Sequence, residues 1–532
     1  MLRRLPGPAG PLINPQYNFM RLDYWFGQVE SRPLSLFRIF FGLLVVKTAL
    51  YSIPLAQLFY SDEGIVPRAQ FWDEPTQYGL GHFSLLNYVS APWMAVLFFA
   101  LWAAIGVALL LGYRTRLMTV LNYAIKLSIL NRNQFPLTGA DHVITVLSFW
   151  IMFLPLDQHY SVAAWLAHRG ARAGRRAAAA MGSTAFAFPL RLVQIQIALI
   201  YVFTSYYKWQ GEYWRSGDAL YYTFQQVGYL LPPGTWLGAN GPLWLLHLLT
   251  WSTLLIEAAF AILIFSPALQ PWARACGLLL AAAMHLGIAI TMSIPDFSLV
   301  MWISYLLFFD PSWVLWLERR LRRLLRLPPL EAGASAAGPA GPVAARRGAA
   351  LRLVPALRRG TLALALLVVL AATIWGGIEE GRTLRSRVAP PMPAWLKAID
   401  GQLQLASAWK MFVYPVIPRA GWLMVNGQFE DGAEALLYSG ADPATGAVYR
   451  LWGPDARLRL LEQHLLSSMP TPILRAWAGY YCRLFNDAAG RPAGQRLAAL
   501  TISLHYRWSH LPGAPPNAFA DDVLWRHRCL TP

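Results

Sequence analysis

The residues best suited to chemistry lie along one face of an apolar segment that ends on a lysine. Gln194, Tyr201 and Lys208 recur at seven-residue intervals, with Thr204 and Ser205 beside them on a helical projection. Polar groups at membrane depth are costly and usually face a bundle interior or a cavity, where a partly desolvated lysine can serve as a general base. The alternative is that Lys208 only extends toward the membrane surface.

A second polar group lies in the segment NRNQFPLTGADH, which contains Asn131, Arg132, Asn133, Asp141 and His142. In a purely structural interpretation, Asp141 caps a helix and Arg132 is its counter-charge. That interpretation leaves His142, one position after the cap, without a role.

Two histidines interrupt other apolar segments. His285 is either a core histidine bonded to a carbonyl group or a functional group, and its place inside a predicted span makes it more notable. His247 and Glu257 fall on nearly the same helix face, but their different depths argue against direct contact. The sequence contains no HExxH, paired-cysteine, GxxxxGKS or GxSxG motif, so we expect proton transfer and no metal.

The composition indicates a polytopic membrane protein. Hydrophobic residues make up 56% of the 532 residues, charged residues only 14%, and the mean hydropathy is +0.38. The formal charge of +18 comes from arginines clustered beside apolar segments, where membrane orientation or anionic lipid explains them. Nucleic acid is therefore not an expected partner.

A transmembrane helix needs about 20 mostly apolar residues. The clearest candidates are residues 35–53, 93–112, 141–158, 189–208, 243–265, 273–293, 297–317 and 361–379. A ninth, 117–134, carries Asn122 and Lys126 and can span only if they face other helices. Nine spans with a cytoplasmic N-terminus put the main arginine clusters inside, which predicts this orientation in a bacterial inner membrane.

The predicted fold is an α-helical polytopic membrane bundle of about nine spans with a small C-terminal extramembrane α+β domain. The predicted parts are a cytoplasmic N-terminal segment (1–30), the transmembrane bundle (31–318), a basic, Ala/Gly/Pro-rich cytoplasmic linker (319–360), a final transmembrane helix (361–380) and a periplasmic domain (385–532).

Within the C-terminal domain, residues 421–440 predict two strands joined at an Asp-Gly turn, residues 446–453 a third strand and residues 497–508 a fourth. Residues 472–487 predict an amphipathic helix. Cys482 and Cys529 either form a disulfide in an oxidising compartment or remain two thiols.

Three segments in this order resemble the vitamin K-dependent gamma-glutamyl carboxylase superfamily, whose bacterial members are called HTTM (horizontally transferred transmembrane domain) proteins. They are NRNQFPLTGADHVITVLSFWIMFLPLDQHYSV, IYVFTSYYKWQGEYWRSGDALYY and MHLGIAITMSIPDFSLVMWISYLLFFDPSWV. The resemblance covers roughly residues 30–318. WKMFVYPVIPRAGWLMVNGQFEDG, which starts at Trp409, also resembles the start of the extramembrane domain of bacterial relatives.

The resemblance implies a base and a ligand. In the carboxylases a lysine deprotonates reduced vitamin K, oxygen converts that species into a strong base, and a glutamate loses its γ-proton so that CO2 can add. Lys208 matches that lysine, His142 a catalytic histidine and His285 the histidine ahead of the FS-VM segment. The chain departs from the family in having one lysine where the carboxylases have two, a spacing that differs by one residue, and a smaller extramembrane domain.

We therefore predict an outward-facing cavity that binds a quinol or lipid-like ligand, such as menaquinol-like reduced vitamin K. The predicted catalytic residues are Lys208 and His142, and the predicted ligand-binding residues are Asn133, Arg132, His285 and Tyr201. The lipid bilayer and a protein or peptide substrate on the outer face are the expected partners. The alternatives are a non-catalytic anchor that presents the periplasmic domain, and a transporter, which no inverted repeat favours.

Overall fold

The computed structural model describes residues 14–68, 83–133, 135–172, 184–226, 230–326, 349–380, 390–405, 409, 419–441, 471–487, 495–510, 513–515 and 517–530. Its helices are α1 (Leu22–Phe26), α2 (Arg32–Tyr60), α3 (Pro92–Leu111), α4 (Thr115–Arg132), α5 (Gly139–Ile151), α6 (Val162–Arg172), α7 (Ala187–Gln210), α8 (Glu212–Ser216), α9 (Ala219–Thr223), α10 (Pro232–Asn240), α11 (Leu243–Phe265), α12 (Trp272–Thr291), α13 (Pro295–Tyr305), α14 (Pro311–Leu324), α15 (Ala349–Glu380), α16 (Ala394–Leu403) and α17 (Thr471–Asn486). Its strands are β1 (Gln28–Glu30), β2 (Thr184–Phe186), β3 (Arg419–Phe429), β4 (Glu434–Ser439), β5 (Leu497–Trp508) and β6 (Ala520–Arg528).

Six helices in the described part of the chain are long and apolar enough to cross a membrane. They are α2, α3, α7, α11, α12 and the Gly360–Glu379 part of α15. Each coincides with a span predicted from its apolar run. The helices α2 and α3 pack closely against each other, and a Cβ on Gly42 would lie 2.5 Å from the Leu110 nitrogen. Small residues at such crossings let the backbones of membrane helices approach.

The predicted span at 297–317 is a broken helix pair. The helices α13 and α14 meet at a bend of 104° and together count as at most one further span. Asp310 accepts a hydrogen bond from the Ser312 amide, and Pro311 occupies the first turn of α14. A capping aspartate followed by proline starts a new helix, and proline disfavours helical backbone at the residue before it.

The other two predicted spans are helices of different length. Predicted span 117–134 corresponds to the 18-residue α4, and predicted span 141–158 to the 13-residue α5, which ends at Ile151. Asn122 and Lys126 do face other helices, since Asn122 bonds Trp102 and Ser148. Six or seven candidate spans are therefore established by length and composition, and the total of nine stays a prediction.

The end of α3 and the helices α6 and α14, near which three of the predicted arginine clusters lie in sequence, meet at the end of the bundle where α2 begins, which we call the Arg32 end. At this end, Glu318 of α14 forms an ion pair with Arg32 and accepts a hydrogen bond from the hydroxyl of Tyr160, which precedes α6. The amide of Ala163 at the start of α6 donates to Gly112, which ends α3. The predicted topology, and the side of the membrane on which this end lies, stay predictions.

A four-stranded antiparallel sheet in the order β4-β3-β5-β6 forms the described C-terminal part. The predicted Asp-Gly turn joins β3 to β4, with Gly432 at φ +84, and β5 and α17 also lie where they were predicted. The predicted strand at 446–453 lies outside the described residues. Cys482 and Cys529 form a disulfide that links α17 to the segment after β6.

The C-terminal part contacts the bundle at the end opposite to Arg32. Arg483 of α17 donates to the Gly64 carbonyl just beyond α2 at 2.9 Å. Gln225, beyond α9, exchanges two hydrogen bonds with the backbone of His510. Thr204 of α7 lies within 3.2 Å of the Trp409 carbonyl. These contacts fix the sheet region against the segments around the end of α7.

Candidate functional site

The polar face predicted for α7 is buried within the protein. Gln194, Tyr201 and Lys208 are exposed by only 1%, 3% and 5%. Gln194 donates to the Leu307 carbonyl and accepts from Arg191, so it connects α7 to the short turn that follows α13. The seven-residue pattern therefore marks the face that α7 turns toward its neighbours.

Lys208 forms an ion pair with Glu257 of α11 and does not extend into solvent. The Nζ to Oε1 distance is 2.6 Å, and the Lys208 ammonium lies 4.6 Å from the ring centre of Trp214 in α8. Glu257 falls in the middle third of the 23-residue α11. Lys208, which the sequence presented as a lone residue at the membrane edge, is thus paired and lies level with the interior of a neighbouring span.

Tyr201 lies about two helical turns before Lys208 on α7 and contacts three other helices. Its hydroxyl lies 3.0 Å from Nε2 of His285 in α12 and is hydrogen-bonded to the hydroxyl of Tyr305 in α13. The Tyr201 ring stacks on Phe260 of α11, with ring centres 4.1 Å apart. The structure therefore brings together three of the predicted site residues, Tyr201, Lys208 and His285, and adds Glu257 and Tyr305 to them; we call these five residues the Lys208 cluster.

Two buried atoms of the Lys208 cluster have no hydrogen-bond partner among the described residues. They are Oε2 of Glu257 and Nδ1 of His285. The remaining ring nitrogen of His285 contacts Tyr201, and its backbone carbonyl accepts from Ser298. Leaving a buried polar atom unsatisfied costs about 1–3 kcal/mol, so such atoms commonly bind a ligand or an ordered water.

The predicted residues around His142 form a second polar group, on α4 and α5. Thr138 is the N-cap of α5, and Asp141 completes a reciprocal capping box from the third helical position. The carboxylate of Asp141 pairs with Lys126 at 2.9 Å, and both side chains are at most 3% exposed. This corrects the structural interpretation of the sequence: Asp141 is not the N-cap, and its ion-pair partner is Lys126. His142 is half-buried.

Arg132 and Asn133 bond to the backbone near the end of α2. Arg132 donates to the Val66 carbonyl at 2.9 Å, and Asn133 donates to the Phe59 carbonyl at 3.1 Å. Asn133 also accepts from the Phe135 amide. These bonds hold the end of α4 against the end of α2, and the ligand-binding roles of Arg132 and Asn133, like the catalytic role of His142, stay predictions.

A small cavity adjoins the Lys126–Asp141 pair. It leaves about 10 Å3 for the centre of a water molecule, which is room for about one water. Its lining residues are Ser52, Leu55, Phe59, Tyr60, Phe99, Trp102, Lys126, Ile129 and Asp141. Within the ranges that the structure describes, no three His, Cys, Asp or Glu side chains are grouped to hold a metal ion.

The sequence-based prediction noted Glu257 beside His247 but missed that Glu257 pairs with Lys208. Glu257 interrupts the apolar run LLIEAAFAI, and a lone carboxylate in a span signals a buried partner. His247 shares its helix face but instead contacts Asp218 at 2.9 Å, as the depth argument anticipated. Lys126, in the less apolar predicted span 117–134, likewise indicated a buried partner.

The apolar spans and their buried charged groups define a polytopic helical membrane protein. Residues 26–313 match the family model of the HTTM domain, which covers more than half of the chain. The chain therefore belongs to the HTTM-domain family, which is related to the gamma-carboxylases. No curated protein and no solved structure matches it.

Proposed function

We propose that this chain is a membrane-embedded enzyme that transfers a proton at Lys208 to or from a quinol-like or lipid-like ligand. The observation that carries the proposal is the buried Lys208–Glu257 pair together with the unpartnered Glu257 Oε2 and His285 Nδ1. Ionisable groups inside a membrane bundle are expensive to bury and commonly mark function. Membership of a carboxylase-related family makes a lysine base the first hypothesis.

The residues of the Lys208 cluster fit a quinol in two respects. Aromatic rings from Tyr201, Phe260 and Trp214 border the cluster and suit a planar ring. Glu257 Oε2 can accept a hydrogen bond, and His285 Nδ1 can accept or donate one according to its tautomer. A bound quinol supplies hydroxyl groups whose protons can be removed.

The ion pair gives Lys208 a route to its basic form. Only the neutral amine can accept a proton, and Glu257 Oε1, at 2.6 Å, is placed to take the ammonium proton within the pair. The amine can then accept a hydroxyl proton from the ligand. Tyr201 and His285 form a hydrogen bond of their own near the pair. A water or ligand group bound at Glu257 Oε2 is needed to connect the two and complete the route by which the proton leaves. In this proposal His142 positions or protonates the ligand, and Asn133 and Arg132 help to hold it.

The test is a matched pair of lysine variants. Lys208→Met removes the base, whereas Lys397→Met removes an exposed lysine that lies 3.9 Å from Glu379. Lipophilic molecules that co-purify with the full-length chain are identified by mass spectrometry, and their turnover is followed in both variants. We expect Lys397→Met to behave as wild type and Lys208→Met to lose turnover by at least about a hundredfold. Wild-type turnover by Lys208→Met would overturn the catalytic assignment.

The alternative function is a membrane anchor that presents the C-terminal sheet to a periplasmic partner. The disulfide between Cys482 and Cys529 favours it, since such bonds form in oxidising compartments where binding domains are exposed. Deleting residues 385–532 distinguishes the two. The enzyme proposal expects the bundle to retain its co-purifying ligand, whereas the anchor proposal expects every cellular effect to disappear with the domain.

A further inference from the structure

The helix α14 does not continue the membrane span that precedes it. A bend of 104° separates its axis from that of α13, and Asp310 and Pro311 build an independent helix start at the bend. The helix α13 packs against the candidate spans α2 and α12. With α13 aligned along these spans, the bend turns α14 toward the membrane plane. Its 14 residues extend about 21 Å in that direction at about 1.5 Å per residue.

One face of α14 is fixed to the bundle. Val314 is buried, and Glu318, one turn further, accepts from the Tyr160 hydroxyl at 2.7 Å and lies 3.5 Å from Arg32. Arg322, one turn further again, pairs with Glu318 at 3.3 Å. Because these three positions are four residues apart, they define the face that meets the bundle and thereby the direction of every other side chain.

The two flanks of α14 differ in chemistry. Leu317, Leu321 and Leu324 fall on one flank and are 40%, 46% and 78% exposed. Arg319 and Arg323 fall on the other flank, and Arg326 follows two residues after the helix ends, at φ +51. All three are exposed, and none has an acidic partner in the described part of the chain. Trp316, 60% exposed, lies between the flanks with Arg320 over its ring.

Neighbouring segments at the Arg32 end repeat this combination. In α6, Trp165 and Leu166 are about half exposed, and Arg169 lies 4.4 Å over the Trp165 ring. The N-terminal segment, which is joined to the start of α14 by the Tyr17–Asp310 hydrogen bond, exposes a further set of apolar side chains, namely Phe19, Met20, Leu22 and Phe26. The apolar and basic surface therefore extends beyond a single helix.

We propose that α14 is an interfacial helix that binds the phosphate head groups of anionic phospholipids. Its leucines enter the acyl region, and Arg319, Arg323 and Arg326 contact the phosphates. A helix with a large apolar flank, a basic flank and a tryptophan lies in the interface, and each arginine near an anionic surface adds about 1 kcal/mol of attraction. Guanidinium groups suit phosphate because they form two parallel hydrogen bonds to it. The spans before and after α14 already hold it at the bilayer, so α14 is not needed as a membrane anchor. Its proposed role is to select anionic lipids over neutral ones.

The experiment compares lipid binding by full-length variants in a neutral detergent. Phosphatidylglycerol and phosphatidylcholine are titrated separately, and bound lipids are counted by native mass spectrometry. Arg319→Gln, Arg323→Gln and Arg326→Gln are combined, since glutamine has a similar helix propensity and these side chains are exposed. We expect phosphatidylglycerol affinity to fall about fivefold for each arginine removed, and phosphatidylcholine affinity to stay unchanged.

The matched control removes three exposed arginines from the sheet region: Arg496→Gln, Arg526→Gln and Arg528→Gln. Wild-type phosphatidylglycerol affinity in the α14 variant, or an equal loss in the control, would overturn the proposal. A salt titration of the wild-type protein tests it without mutation, because binding to exposed arginines weakens as salt screens them. Salt-independent binding would also contradict it. Millimolar inorganic phosphate should not displace the lipid, since phosphate lacks the acyl contact; full displacement would indicate a soluble anion site.

Discussion

Lys208 and Glu257 form a 2.6 Å ion pair across 49 positions of sequence, and their side chains are only 7% and 6% exposed. The pair joins α7 to α11 in the interior of the bundle. Taking two charges out of water is expensive, and the attraction between them offsets that cost only while both are present. Removing either residue alone should therefore destabilise the fold, because the other charge would remain buried without its partner.

This dependence is testable with a double-mutant cycle. Glu257→Gln leaves the Lys208 ammonium buried without its counter-charge and should lower the free energy of unfolding by about 3–5 kcal/mol. The double variant Lys208→Met with Glu257→Gln should recover most of that loss, because no net charge then remains buried. Thermal unfolding of the purified chain measures both. Lys397→Met, at a 71% exposed lysine, is the control and should change little. Two additive single effects would show that the residues are not coupled.

The contribution of the Lys126–Asp141 pair to stability should be distinguishable from that of the helix cap beside it. Lys126→Met leaves a buried carboxylate unpaired and should cost about 3–5 kcal/mol. Thr138→Ala removes only the N-cap hydroxyl and should cost about 1 kcal/mol, since the Thr138 amide still donates to Asp141. Thermal unfolding of the two variants gives the comparison. A loss for Thr138→Ala as large as that for Lys126→Met would place the stabilisation in the cap instead of the ion pair.

The positions of six spans could be predicted from the sequence, because a membrane helix needs a long apolar run and that requirement is local. The sequence also indicated the buried face of α7, since a seven-residue interval fixes a helix face without any knowledge of neighbours. The bend at Asp310 was readable in principle from an aspartate followed by proline. The apolar run across it, 297–317, outweighed that signal.

The partners of the charged residues were not readable, because pairing depends on how helices pack. Glu257 shares a face with His247 on its own helix, yet its partner comes from α7. Asp141 is only nine positions from Arg132, but it pairs with Lys126, which lies further back on α4. The sequence shows which buried charges need a partner, but only the packing of the helices shows which residue that partner is.

Asp62 provides a pH-dependent contribution outside the membrane spans. Burial raises the pKa of the Asp62 carboxyl, but hydrogen bonds from Arg68, one of them 2.7 Å long, outweigh burial and hold the pKa below its usual 3.8. A lowered folded-state pKa stabilises the protein fully above the unfolded-state value and loses that effect as pH falls through the folded-state value.

We therefore expect Asp62→Asn to lower the free energy of unfolding by about 0.5 kcal/mol at pH 7, because the pair is partly exposed. The difference from wild type should persist down to about pH 4 and shrink below it. Thermal unfolding at a series of pH values measures it. Asp487→Asn, at an exposed position, reports the general effect of removing one carboxylate. A difference that stays constant down to the most acidic condition would refute the Arg68 mechanism.

The disulfide tests both stability and the predicted location of the C-terminal domain. Cys482 and Cys529 have Cα atoms 5.2 Å apart and enclose a 47-residue separation, for which loop-closure entropy gives about 4 kcal/mol. Cys482→Ser with Cys529→Ser should destabilise the sheet region by that order, measured as faster proteolysis. Cys276→Ser, at the third cysteine, is the control and should have no such effect.

Thiol labelling in denaturant then reports where the bridge forms. In cells with an oxidising periplasm, we expect a maleimide reagent to label one of the three cysteines before reduction and all three after it. In cells that lack periplasmic thiol oxidation, all three should be labelled without reduction, because the cytoplasm keeps thiols reduced and offers no second route to the bridge. Labelling of one cysteine in both cell types would mean that the bridge forms independently of that pathway, and labelling of all three in both would place the domain on the reducing side of the membrane.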